Sequence, residues 1–110
     1  MKIETLKSSK DFKRLKGGKF YRSHSFLLQG MENFESKRPR VGYTVTKQNG
    51  NAVIRNRIKR RLKSAAKDVF NNVEDKKWDY VMIGKKNALI ISFDKLKSEL
   101  EFAVNKIHKS

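Results

Sequence analysis

The sequence has no cysteine, one proline, two histidines and only eleven acidic residues in 110. Each shortage closes off a class of function. Without cysteine there is no disulfide and no thiolate metal site, which suits a reducing cytoplasm. His24 and His108 are far apart, no metal-ligand spacing links them, and both read as ordinary surface residues. No apolar run approaches the length of a membrane span. The N-terminus, Met1-Lys2-Ile3-Glu4, opens no signal-peptide stretch. The acids are scattered, and no pair sits at metal-ligand spacing with a partner nearby. Cleaving a phosphodiester needs carboxylate-held metal ions or a general base of suitable pKa, and none is nominated here. No Gly-rich loop followed by Lys-Ser or Lys-Thr cradles a phosphate. The chain is therefore expected to carry no catalytic residue and no metal site, and to be a binding module.

What is abundant is positive charge. Lys and Arg number 27, for a net charge of +16. A field of that strength recruits polyanions and speeds their capture. Mere solubility and attraction to an anionic membrane surface are the alternatives. The length suits one domain, residues 1–110, with a modest core.

The charge is most organised between Gly50 and Lys63. Asn49-Gly50 is a turn dipeptide, since both residues tolerate positive φ. Asn51 can cap the helix that follows. Ile54, Ile58, Leu62, Ala65, Ala66 and Val69 recur at helical spacing and form one apolar stripe. Asn56, Arg60, Lys63, Ser64 and Lys67 fall together on the opposite side, flanked by Arg57 and Arg61. Arg55 projects into the apolar arc. A helix this cationic repels itself unless a polyanion lies against it.

Around it, residues 8–17 read as a short helix, with Ser8 and Asp11 resembling a capping box and Gly17 or Gly18 a left-handed stop. Phe12 and Leu15 share one face of it. Residues 25–31 read as a strand, 31–39 as a loop. Residues 40–46 alternate, with Val41, Tyr43 and Val45 on one side and a smooth polar side of Gly42, Thr44 and Thr46. The basic helix runs over 51–71, a charged loop over 72–77, and a buried strand over 78–84. The connector 88–91 has no clear assignment. Ser92 caps a last helix whose stripe is Phe93, Leu96, Leu100, Ala103, Val104 and Ile107. A strand-helix-strand run in the middle implies a crossover between parallel strands. The expected fold is α+β, a two-layer sandwich with a small mixed sheet and the helices on one face.

Gly50-Asn51-Ala52-Val53-Ile54-Arg55-Asn56-Arg57-Ile58-Lys59-Arg60 resembles the signature of the bacterial ribonuclease P protein subunit. Arg40-Val41-Gly42, Lys47, Asp11-Phe12, the 78–83 strand and the Ser92-capped helix match as well, so the resemblance covers nearly the whole chain. It implies the order α-β-β-β-α-β-α, with a left-handed crossover against the usual rule. It implies a partner, one large catalytic RNA, and a substrate, precursor tRNA, whose 5′ leader the holoenzyme removes by endonucleolytic hydrolysis. It implies that the RNA holds the catalytic Mg²⁺ and performs the chemistry. By match to the motif, Asn51, Arg55, Asn56, Arg57, Lys59, Arg60, Lys63 and Lys67 contact the catalytic RNA. A cleft holding the leader is lined by Phe12, Lys16, Tyr43 and Lys47, with aromatic faces for unpaired bases. Lys16 and Gln29 stand where many relatives carry aromatics, which points to a grip relying more on charge. A cytoplasmic protein with no membrane partner and no DNA partner is implied. The alternatives are a structural RNA-binding protein of ribosomal type, a stand-alone nuclease, and DNA binding, for which the usual second helix or dimer seam is missing.

Overall fold

The computed structural model describes residues 3–72 and 77–109. Strand β1 (Glu4–Thr5) precedes helix α1 (Ser9–Leu15). Strands β2 (Lys19–Arg22), β3 (Phe26–Glu32) and β4 (Arg40–Val45) follow. Then come helix α2 (Ala52–Phe70), strand β5 (Trp78–Gly84) and helix α3 (Phe93–Lys109). The charged loop expected over 72–77 falls largely outside the described residues. The five strands form one mixed sheet in the order β1-β4-β5-β3-β2. β4 lies parallel to β1 and β5, while β3 runs antiparallel to β5 and β2. Helix α2 makes the crossover between the neighbouring parallel strands β4 and β5.

The pattern located three of the five strands. β1 is only two residues long, too short to show alternation, and β2 is a four-residue edge strand of mixed Lys, Arg and aromatic side chains. The connector 88–91 overlaps the end of a 3-10 turn, Lys86–Leu89.

Helix α2 forms where the pattern put it. The Asn51 side chain accepts from the Ile54 N–H at 3.0 Å, and Gly50 takes φ 139°, a left-handed region that a side chain would strain. Asn49 keeps negative φ. Ile58, Leu62, Ala65, Ala66, Val69 and Phe70 are buried. They pack with Leu96, Leu100, Ala103, Val104 and Ile107 of α3 over Phe26, Leu28, Val41, Tyr80 and Met82 of the sheet. Ser92 accepts from the Lys95 N–H at 3.2 Å and so caps α3. Asn51→Ala should cost about 1 kcal/mol, lowering the midpoint of thermal unfolding by roughly 5 °C, as circular dichroism would read.

Three expectations need correction. The helices do not all share one face. Residues alternate across a strand; Tyr80 and Met82 meet α2 and α3, whereas Val81 and Ile83 meet Leu6, Phe12 and Leu15 on the other side. Thus α1 covers part of the opposite face, because its stripe of Phe12 and Leu15 needs apolar cover and the first face is filled. Second, α1 ends at Lys16 in a right-handed conformation, with no left-handed glycine. Ser8 does cap it, accepting from the Lys10 N–H at 3.2 Å. Third, His108 is no ordinary surface residue. Its ring stacks on Trp78 at 4.3 Å, and its Nε2 lies 2.6 Å from the Tyr80 hydroxyl.

Candidate nucleic-acid interface

Burying the apolar stripe of α2 turns its other side outward. Asn56, Arg57, Arg60, Lys63, Ser64 and Lys67 are exposed, and Lys59 is half-buried at their margin. Arg57, Arg60 and Lys67 have no ion-pair partner among the described residues. Their charges are uncompensated and face solvent. Arg61 serves differently: its Nη2 donates to the Ile91 carbonyl at 2.8 Å, fixing the segment ahead of α3. Arg55 is half-buried at the start of the helix, and its Nε is sealed from solvent without a partner among the described residues. Asn51 is the helix cap, so its carbonyl oxygen is committed.

The cationic face meets a cleft at the β4 end of the sheet. A hollow of about 230 Å³ is lined by Thr5, Leu6, Lys7, Phe12, Tyr43, Lys59 and Lys63. A second, of about 420 Å³, shares Phe12 and Tyr43 and continues past Lys16, Gln29, Thr44, Val81 and Ile83. The Lys63 ammonium lies 5.7 Å from the centroid of the Tyr43 ring. Burial pushes the Tyr43 hydroxyl well above the usual phenol range, so it stays neutral and presents a ring rather than a charge. Phe12 fits because Gly42 has no side chain; a Cβ there would come within 2.6 Å of the Phe12 ring. Three expected cleft residues, Phe12, Lys16 and Tyr43, therefore share a wall. Lys47 sits exposed in the 3-10 turn ahead of α2 and lines neither hollow.

The cleft wall formed by α1 is anchored by a buried acid. Asp79 is fully buried on the α1 side of β5. Arg40 binds it with two hydrogen bonds, Nε to Oδ1 at 2.8 Å and Nη2 to Oδ2 at 2.7 Å. Asn33 donates at 3.1 Å, and Arg14 of α1 donates to the same carboxylate. Burial alone would raise the pKa of Asp79. The hydrogen bonds from Arg40, Asn33 and Arg14, with the Arg40 charge, outweigh it and hold the group below its ordinary value. The bond to Asp79 correspondingly raises the Arg40 guanidinium.

The family model described as Ribonuclease P matches residues 1–108. The chain belongs to the ribonuclease P protein family. The ribonuclease P protein component of Brucella suis is 39% identical over 106 residues, covering 89% of this chain and 75% of that one. The structure of the Staphylococcus aureus RNase P protein superposes with a TM-score of 0.77 at 28% identity, over 94% of each chain. A Staphylococcus aureus RNase P protein variant, described as a mutant with defective mRNA degradation activity, gives 0.79 at 29% identity, over 96% and 87%. Membership of that family makes the chain a subunit of an endoribonuclease and favours this reading over a ribosomal-type structural protein.

Asp79 stood in the sequence with only an indirect sign of its role: one acid in an otherwise apolar strand must find partners to be buried. Its partners Arg40, Asn33 and Arg14 lie 39, 46 and 65 residues away, beyond any local pattern. Among the described residues no three His, Asp or Glu side chains are grouped so as to hold a metal ion. No helix is long and apolar enough to cross a membrane.

Proposed function

We propose that the exposed face of α2 docks on the catalytic RNA of ribonuclease P while the adjoining cleft holds the 5′ leader of precursor tRNA. Asn56, Arg57, Arg60, Lys63 and Lys67 contact RNA phosphates from that face, with Asn51 and Arg55 at its N-terminal end. Phe12 and Tyr43 offer ring faces to unpaired leader bases. Lys16 meets leader phosphates within the cleft and Lys47, outside both hollows, meets them further along, while Lys59 joins the RNA-contacting face of α2 where it borders the cleft. One observation supports this division above all. Lys59 and Lys63 belong both to the basic helix and to the wall of the cleft. A strand leaving the catalytic RNA would therefore enter the cleft without crossing uncharged surface.

The protein's contribution is electrostatic and positional. Two crowded RNAs repel unless cations screen them, and fixed Lys and Arg replace condensed counterions. The assembled enzyme then needs less free Mg²⁺. The ions that perform hydrolysis sit on the RNA subunit, and the protein supplies no step of the chemistry. The site of action is the cytoplasm.

Cross-linking tests the division of labour. Precursor tRNA carrying photoactivatable bases in its leader, bound to the reconstituted holoenzyme, should label Phe12 or Tyr43. Photoactivatable bases in the catalytic RNA should label α2. Leader cross-links confined to α2 or α3 would refute the assignment. Incubating the protein alone with mRNA addresses the competing reading of an intrinsic nuclease, which predicts cleavage without any RNA subunit.

A further inference from the structure

We propose that Phe20 and Arg22, on the edge strand β2, form an additional subsite for an unpaired nucleotide, extending the leader path across the open sheet face. The proposal rests on the cleft reading above and deepens it. Strand register carries it. Gly42 of β4 is paired with Val81 of β5, Val81 with Gln29 of β3, and Gln29 with Phe20 of β2. Residues directly opposite on neighbouring strands point to the same face. Phe20 therefore lies in one row with the floor of the cleft, where Gln29 and Val81 line the 420 Å³ hollow beside Phe12 and Lys16. The row spans three strand spacings, roughly 14 Å, a distance that a few nucleotides of extended strand can cover.

A lone exposed apolar residue needs no explanation. Phe20 differs in what surrounds it. The residue is 60% exposed, and among the described residues β2 is an edge strand of the sheet. Arg22, paired with Leu27, points to the same face, and its guanidinium lies 5.8 Å from the Phe20 ring centroid. An open ring beside a cation is the arrangement that stacks a base and holds its phosphate. Along this row neither Lys16 nor Gln29 can stack, so Phe20 is the next aromatic a strand leaving Phe12 would meet. Charge favours RNA over a second copy of the chain, since two molecules of net charge +16 repel.

The test uses holoenzyme reconstituted with its catalytic RNA, and precursor tRNAs whose leaders lengthen one nucleotide at a time. With the wild-type protein, affinity should rise with leader length. Phe20→Ala and Phe20→Leu should each lose affinity on the order of tenfold, only for leaders long enough to reach the edge. Phe20→Trp should retain it, and Arg22→Gln should flatten the salt dependence for those long leaders. If wild type gains from the leader and Phe20→Ala and Phe20→Leu match it at every length, the subsite is overturned and the cleft reading stands. If wild type gains nothing from any leader, the cleft reading itself has failed. If Phe20→Ala abolishes self-association in light scattering while leader affinity is unchanged, the edge is a protein contact and the proposal is wrong.

Discussion

Asp79→Ala should destabilise the protein by about 3 kcal/mol or more, the scale expected when one partner of a buried ion pair is removed. The substitution strips Arg40 of two hydrogen bonds and Arg14 of its interior partner, leaving two cations face to face with Asp11 as their remaining acid. Both arginines keep some access to water, which places the loss toward the lower end of the range. For a domain of this size the unfolding midpoint should fall by more than 10 °C. The pH dependence gives a sharper signature. Asp79 has a lower pKa folded than unfolded, so its contribution is complete above about pH 5 and drains away as the pH falls through 4 and below. Wild-type protein should lose stability over that range more steeply than Asp79→Asn, whose amide does not titrate. Parallel acid-unfolding curves would mean that Asp79 is not charged in the folded state.

The functional consequence follows from Arg14. It ties the seven-residue α1 to the sheet, and α1 carries Phe12 and Lys16. A helix that short has little stability of its own. In Asp79→Asn, leader affinity should fall while affinity for the catalytic RNA, set by α2 on the other side of the sheet, holds.

The double variant Arg57→Ala/Arg60→Ala should have the opposite profile. Each guanidinium is exposed and without an ion-pair partner among the described residues. Removing both should weaken binding to the catalytic RNA on the order of a hundredfold at moderate salt, at about 1.5 kcal/mol for each charged contact. The slope of log affinity against log salt should shrink by about two, one per lost phosphate contact. Unfolding should move by no more than about 0.5 kcal/mol, since neither side chain packs in the core. Unfolding of either single variant would mark that arginine as structural.

The basic helix was legible in the sequence because its information is local. Cap, apolar stripe and cationic face all lie within about twenty consecutive residues, and each obeys a short-range rule. Strands 78–84 and 40–45 were legible for the same reason. What escaped depends on distance. The partners of Asp79 come from α1, β4 and the 33–39 loop, joined only when the sheet closes. The placement of α1 on the second face depended on α2 and α3 filling the first. Strand β2 hid because four residues of mixed charge and aromaticity show no clear period, yet its pairing with β3 aligns Phe20 with the cleft. His108 looked like a surface residue because nothing local announces a stack with Trp78.

On the proposed function, a protein without its own catalytic set serves an RNA that has one. The most direct measurement is cleavage of precursor tRNA at low Mg²⁺ by catalytic RNA alone, by protein alone and by the two together, with leader-bearing and leaderless binding measured in parallel. Protein alone should cleave nothing, the pair should cleave far faster than the RNA alone, and the affinity gain should be confined to substrates with a leader. Leader removal by the protein alone, or no stimulation of the cognate RNA, would contradict the proposed function.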